Sequence, residues 1–214
     1  MKRVVLLLGA MLSPEFARAQ TSPPGAAPAP LQPGTPLSAA NYSYITGAGR
    51  FRWFAGSTFG PAGLLAAGPI SAALRTHRNS PPEYGPHWEG FAKRYGLRMA
   101  DLATSNTIEA VVGAALREDP RYIPAAPGTS LGGRVRRTIH LTFFTYRPDG
   151  STRFYYGRIV GNAGSSFLSN SWRAPSENSA GDAALRCVWN LTGRLGANAF
   201  QEFWPTLKLK LKRK

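Results

Sequence analysis

HWEGFAKRYGLRMADLATSNTIEAVVGAALR, residues 87–117, decides how this chain is read. Trp88, Phe91, Tyr95, Met99, Leu102, Ile108, Val112, Ala115 and Leu116 mostly recur three or four residues apart, the spacing that stacks side chains on one face of an α-helix. The stretch predicts a helix from about His87 to Arg117 that buries those residues as one stripe. Asp119-Pro120 should stop it, because a proline disfavours helical geometry in the residue before it.

The segments on either side share the helical tendency. Ser38 is a candidate cap for a first helical segment carrying Tyr42, Ile45, Phe51, Trp53 and Phe54. Residues 54–74 hold no charge, but Gly, Pro and Ala keep their hydrophobicity low, so two short helices in a protein core are expected there instead of a membrane span. Ser80-Pro81-Pro82-Glu83 has the capping-box arrangement and opens a turn that Gly85-Pro86 ends. Residues 123–130 are a loop. From Thr138 to Tyr156 two readings stand: Leu131, Val135, Ile139 and Phe143 fall four apart and favour a helix, while β-branched and aromatic residues around the Pro148–Ser151 turn suit a β-hairpin near 138–156. Gly157, Gly161 and Gly164 lie in a further helical segment and would let backbones approach closely. Ser179 and Asp182 form a second capping box, for a helix through Phe200 that Pro205 should end. The expected fold is all-α: a compact bundle of about five to six helices over residues 38–207, rich in Gly and Ala contacts.

Before this domain, Lys2 and Arg3 precede an apolar run from Val4 to Leu12, and Ala17-Arg18-Ala19 has the small residues of a cleavage site, so residues 1–19 read as a secretory signal. Six prolines among Ala, Gly and Ser make residues 20–37 a disordered linker by expectation. The net charge of +15 would fall to +13 on cleavage. In the cytosol such an excess suggests nucleic acid. Export replaces that partner with an anionic membrane surface or an envelope glycan, in the periplasm or at the outer membrane. One cysteine, Cys187, excludes a disulfide framework within the chain and reads as a small core residue.

Glu118-Asp119-Pro120-Arg121-Tyr122 and Glu202-Phe203-Trp204-Pro205 carry a resemblance to a group of exported bacterial envelope proteins that combine a signal peptide, a tryptophan-rich opening, a Gly-rich central helix, a DPRY break and a closing EFWP. The resemblance spans roughly residues 50–207. It implies a helical envelope protein in which Asp119, Arg121, Tyr122, Glu202 and Trp204 belong to structural motifs, and it brings no activity or cofactor with it.

Chemistry-bearing motifs are few. GxSxG, HExxH, CxxC, the P-loop and GxGxxG are all missing from the sequence, and His77, His87 and His140 are far apart, so no metal ligands and no cofactor are expected. Asp101 and Glu109 stand among apolar residues as candidate buried functional carboxylates; burial would raise their pKa and suit them to proton transfer. The plainer alternative pairs them with Arg94, Arg98 or Arg117. At the DPRY break, the plain expectation is that Arg121 binds the last helix carbonyls, Asp119 fixes the turn and Tyr122 enters the core. The closing segment places Lys208, Lys210, Lys212, Arg213 and Lys214 among leucines, a candidate contact for anionic membranes over residues 208–214. The expected function is a membrane-associated structural or binding protein of the envelope, with Gly/Ala-rich helices available for a homo-oligomer. The alternative is an envelope hydrolase of lipid or glycan that joins an acidic residue such as Glu109 to a histidine such as His140.

Overall fold

Six α-helices and one short hairpin make up the described part of the computed structural model, which covers residues 38–61, 64 and 68–212. The candidate signal (1–19), the proline-rich segment (20–37), residues 62–63 and 65–67, Arg213 and Lys214 lie outside the described residues, as do the side chains of Lys210 and Lys212. The elements are α1 (Gly47–Phe59), α2 (Gly68–His77), α3 (Trp88–Ala115), α4 (Leu131–Phe143), β1 (Phe144–Tyr146), β2 (Thr152–Phe154), α5 (Tyr156–Leu168) and α6 (Ala180–Lys212). The fold is the expected all-α bundle. Helices α3 and α5 form its central pair; α1 and α2 pack on α3, and α6 lies against α4 and α5.

Local chemistry sets most of the boundaries. Thr46 caps α1 by accepting the Gly49 amide at 3.1 Å, and Ser130 caps α4 by accepting that of Gly133 at 3.2 Å. Ser38 caps nothing: its hydroxyl bonds to the Asn41 carboxamide at 3.0 Å and closes a local turn, so the helix starts at Gly47. The Ser179 hydroxyl accepts the Asp182 amide at 3.1 Å while the Asp182 carboxylate accepts back from Ser179, the reciprocal box expected at the start of α6. Ser80 makes no such box. Pro82–Tyr84 is a single 3-10 turn, and Glu83 turns instead to the Ser176 hydroxyl at 2.9 Å.

Helix α3 ends before Asp119-Pro120 acts. Arg117 adopts a left-handed φ of 55°, and the amides of Arg117 and Glu118 bond back to the carbonyls of Ala114 and Gly113 at 3.2 and 2.7 Å. This paired reversal satisfies the last carbonyls of the helix without a glycine. Between 131 and 156 both sequence readings hold in succession. The chain is helical to Phe143 and then forms the hairpin, with Phe144 opposite Phe154 and Tyr146 opposite Thr152 around a turn in which Gly150 has φ 78°.

Pro205 does not end α6, which continues to Lys212. A proline removes one helical hydrogen bond and crowds the carbonyl four residues earlier. Here Arg134 bridges the weak point, bonding to the Glu202 carbonyl on one side and to the Thr206 hydroxyl at 3.1 Å on the other.

The largest departure from expectation is the identity of the buried stripe. On α3 the enclosed residues are Gly90, Arg94, Asp101, Asn106, Glu109 and Gly113, while Trp88 is 75% exposed and the other apolar positions are at most half-buried. Helix α6 behaves alike. Asn198 and Glu202 are buried and Asn190 and Arg194 half-buried, whereas Leu185, Trp189, Phe200, Trp204, Leu207 and Leu211 are exposed. At 100° per residue these six fall within about 100° of arc, opposite the polar row. Across the described residues, nine apolar side chains are buried against seventeen polar or charged ones. A small apolar cluster does exist, formed by Tyr122, Ile123 and Leu141 with Tyr42 and Tyr146 against it. The interior is otherwise polar.

Glycine lets this interior close. A Cβ on Gly161 would stand 2.8 Å from the Ser105 carbonyl and 3.0 Å from the Glu109 amide, and one on Gly157 would stand 3.0 Å from the Gly113 amide. The GxxxG spacing thus brings α5 onto the backbone of α3 itself. Gly161→Ala should therefore destabilise the protein by about 1–3 kcal/mol, the cost of overpacking against atoms that cannot move. Gly96→Ala, in the same α3 but with open space around it, should stabilise by roughly 0.5–1 kcal/mol through helix propensity. Urea unfolding of both variants checks the opposite signs.

Candidate functional site

Glu109 occupies the middle of α3 and is fully enclosed. Gly161 of α5 presses on its backbone, and the Glu109 side chain lies between α5 and α6. There Arg158 of α5 approaches it at 3.3 Å and Arg194 of α6 at 3.0 Å. Each arginine is anchored elsewhere as well. Arg158 donates to the carbonyls of Leu141, Thr142 and Pro120 at 3.0, 3.1 and 3.4 Å and lies over the Tyr155 ring, and Arg194 also reaches the Asn106 carboxamide at 3.3 Å. Asn106 bonds in turn to Thr58 of α1 at 3.1 Å. One carboxylate so gathers α1, α3, α5 and α6.

Burial pushes the Glu109 pKa up, but the Arg194 and Arg158 guanidiniums outweigh it and hold the carboxyl below its ordinary range. The raised pKa expected from burial alone is corrected by these two cations, which the sequence places 49 and 85 residues away. The Tyr155 hydroxyl, also enclosed, is driven the other way, by burial first and then by the Glu109 charge. A cavity of about 260 Å³ borders the group, lined by Glu109, Arg158, Asn162, Asn190, Arg194 and, toward one end, Asp101. The Asn162 carboxamide oxygen is buried there without a hydrogen-bond partner.

The other acidic groups are used in the same manner. Asp101 pairs with Arg173 and accepts from the Trp172 indole at 3.4 Å. Both candidate carboxylates are therefore ion-paired, though not with Arg94, Arg98 or Arg117; their partners, Arg173 for Asp101 and Arg158 and Arg194 for Glu109, come from other elements. Glu118 accepts the first amides of α5, Tyr156 at 3.2 Å and Gly157 at 2.8 Å, and so caps a helix 38 residues downstream. Burial raises its pKa despite those donors.

At the DPRY break Asp119 binds the Tyr42 hydroxyl at 3.1 Å and Arg121 at 2.6 Å. Arg121 does not bind the last carbonyls of α3; its guanidinium goes to Asp119 and to the Ser43 carbonyl, and Arg50 takes the Glu118 carbonyl at 2.7 Å. Tyr122 is buried as expected, and its hydroxyl donates to Glu202 at 2.8 Å. Glu202 also accepts from Arg134 at 2.6 Å and from the Ala125 amide at 3.0 Å. The DPRY and EFWP segments thus meet through Tyr122 and Glu202. Burial opposes ionisation of Glu202, but these donors prevail and lower its pKa. Trp204 is half-exposed and stacks on Phe200. Lys208 is exposed on the last turns of α6.

His140 stacks on Phe144 at 4.4 Å, its Nε2 buried without a partner, and burial with the charges of Arg137 and Arg136 lowers its pKa. It makes no pair with Glu109. Among the described residues no group of three or more His, Cys, Asp or Glu could hold a metal ion. The arrangement around Glu109 can bind polar groups, but a carboxylate held ionised between two guanidiniums is a poor proton donor.

What the sequence reasoning missed is the cationic half: Arg158, Arg173 and Arg194. A signal was present in the row Asn190, Arg194, Asn198 and Glu202, which repeats at four residues opposite an apolar row. Which row faced inward was not stated by that periodicity. Compared with protein-family models, with curated proteins and with solved structures, the chain matches none.

Glu109→Gln should cost about 3 kcal/mol, because it leaves the buried Arg158 and the half-buried Arg194 without their counter-charge. The native Glu109 pKa lies below its unfolded value, so its contribution is complete above the unfolded pKa of about 4.3 and is lost as pH falls through the folded one. The difference in urea midpoint between wild type and Glu109→Gln should therefore be constant near neutrality and shrink below about pH 4.

Proposed function

We propose that this is an exported envelope protein that binds the surface of an anionic membrane and serves there as a structural or binding component. The observation that carries the proposal is the outward apolar row of α6, from Leu185 to Leu211, on a helix whose inner row is Asn190, Arg194, Asn198 and Glu202. Water disfavours such a surface, and each large apolar side chain withdrawn from it gains about 1.5–3 kcal/mol. The excess of basic residues supplies the attraction, at about 1 kcal/mol for each one close to an anionic surface. No helix among the described residues is long and apolar enough to cross a membrane. A helix lying in the interfacial plane needs no crossing: α6 spans 33 residues, about 50 Å at 1.5 Å each, with apolar residues on one side and Lys208 near its end.

The Gly/Ala contacts once available for a homo-oligomer are engaged at Gly157 and Gly161 within the chain. The hydrolase alternative has less to support it, since Glu109 is held by Arg158 and Arg194 and His140 stands elsewhere.

Flotation with vesicles tests the proposal. The protein should rise with vesicles containing anionic phospholipid and only weakly with neutral ones. Phe200→Glu with Leu207→Glu should abolish recovery, and deletion of residues 208–214 should reduce it and make what remains less sensitive to salt. Equal recovery from both vesicle types, unchanged by these variants, or a sedimenting oligomer that ignores vesicles, would overturn it.

A further inference from the structure

A second cavity, of about 580 Å³, opens between α2, α3 and α6 and is lined by five arginines: Arg75, Arg94, Arg98, Arg173 and Arg186. Its carboxylates are three, Asp101, Glu177 and Asp182, so the lining carries a surplus of two positive charges. The volume falls in the range of small-molecule sites. We infer that this cavity binds an anion bearing a phosphoryl group.

The distribution of partners is the argument. Arg173 pairs with Asp101 and Glu177, and Arg75 pairs with Glu177. Asp182 is turned to Ser179 at the start of α6, with its oxygen 2.6 Å from that hydroxyl. The other arginines bond to neutral acceptors. Arg94 donates to the carbonyls of Ser80, Gly85 and Pro81 at 2.9, 2.7 and 2.7 Å, Arg98 to the Asn190 carboxamide at 3.0 Å, and Arg186 to the carbonyls of Glu177 and Ser166 at 2.7 and 2.9 Å. These bonds fix the guanidiniums in place without neutralising them.

Buried charge without counter-charge is costly, and arginines held together repel. Burial foremost, aided by the charge of Arg173, depresses the pKa of Arg75, Arg98 and Arg186, although Asp101 opposes it at all three. The Nε atoms of Arg173 and Arg186, two of the lining residues, are buried without a hydrogen-bond partner. A phosphoryl group meets all of these conditions: it carries up to two negative charges, offers three acceptor oxygens and matches the guanidinium fork. Trp189, 65% exposed, and Leu185 stand on the same lining and offer an apolar rest for the remainder of the ligand. Leu185 and Trp189 also begin the outer row of α6, but the charge argument rests on the arginines alone.

Calorimetric titration of the full mature chain tests it, with inorganic phosphate and monomeric dihexanoyl phosphatidic acid as probes and dihexanoyl phosphatidylcholine as control. One saturable site per chain is expected, together with a rise in Tm, since a ligand that binds only the folded state stabilises it. Arg98→Gln and Arg186→Gln should each weaken binding roughly tenfold or more, the value of one charge-assisted bond, while Arg52→Gln, an exposed arginine outside the cavity, should change nothing. Should Arg98→Gln fail to fold, Arg75→Gln at the rim serves in its place. Equal affinity for phosphate and phosphatidate would identify the phosphoryl group alone as the ligand. Much tighter phosphatidate binding would identify a lipid headgroup. No saturable binding of either probe up to about 1 mM, or equal losses in Arg52→Gln and Arg98→Gln, would overturn the inference.

Discussion

The bundle depends on a carboxylate that has nowhere to go but between two arginines. Glu109 is enclosed, with α5 packed on its backbone at Gly161, and it cannot become neutral cheaply because Arg158 and Arg194 would then face each other unscreened. Three helices are positioned by that single pairing. A fourth, α1, joins through Asn106 and Thr58. Three other acidic residues act alike, each tying segments distant in sequence: Glu118 with the start of α5, Asp101 with Arg173, Glu202 with Arg134 and Tyr122. The chain spends most of its few acids in this way, and the surplus arginines that remain define the second cavity.

Placing polarity inside has a matching effect outside. Residues that would normally form a core are displaced to the perimeter of α1, α5 and α6, where Phe51, Phe167 and Trp189 are each at least half-exposed. The two halves of the functional picture therefore have one origin. Polar rows that meet across the bundle leave cavities lined with charge, and the apolar rows behind them stand exposed at the surface.

Much of the architecture was legible in the sequence because it is written in local chemistry. Ser179 and Asp182 and the Pro148–Ser151 turn act on their immediate neighbours, the glycines at 157 and 161 act simply by lacking a side chain, and each acts in the structure as its residue type suggests. Helical spacing located α3 to within two residues. The same spacing is silent on which face turns inward, so Trp88 and Leu102 were read as core where Asp101 and Glu109 are. Ser38 and Pro205 were misread for a related reason: each was judged by its own preference, whereas Asn41 captures the first and Arg134 secures the second. The Arg173–Asp101 and Arg194–Glu109 pairs cross 72 and 85 residues, and no pattern along the chain announces them.

The polar interior also bears on how the protein responds to temperature. The heat capacity increment of unfolding comes from apolar surface newly exposed to water and is reduced by newly exposed polar surface. Here a large part of the apolar surface is wet before unfolding begins, and what opens is rich in amides, hydroxyls and guanidiniums. The increment per residue should therefore fall below the usual value of about 12–15 cal/mol/K, and the curve of stability against temperature should be correspondingly shallow. Cooling then weakens such a molecule less than one held by a hydrocarbon core.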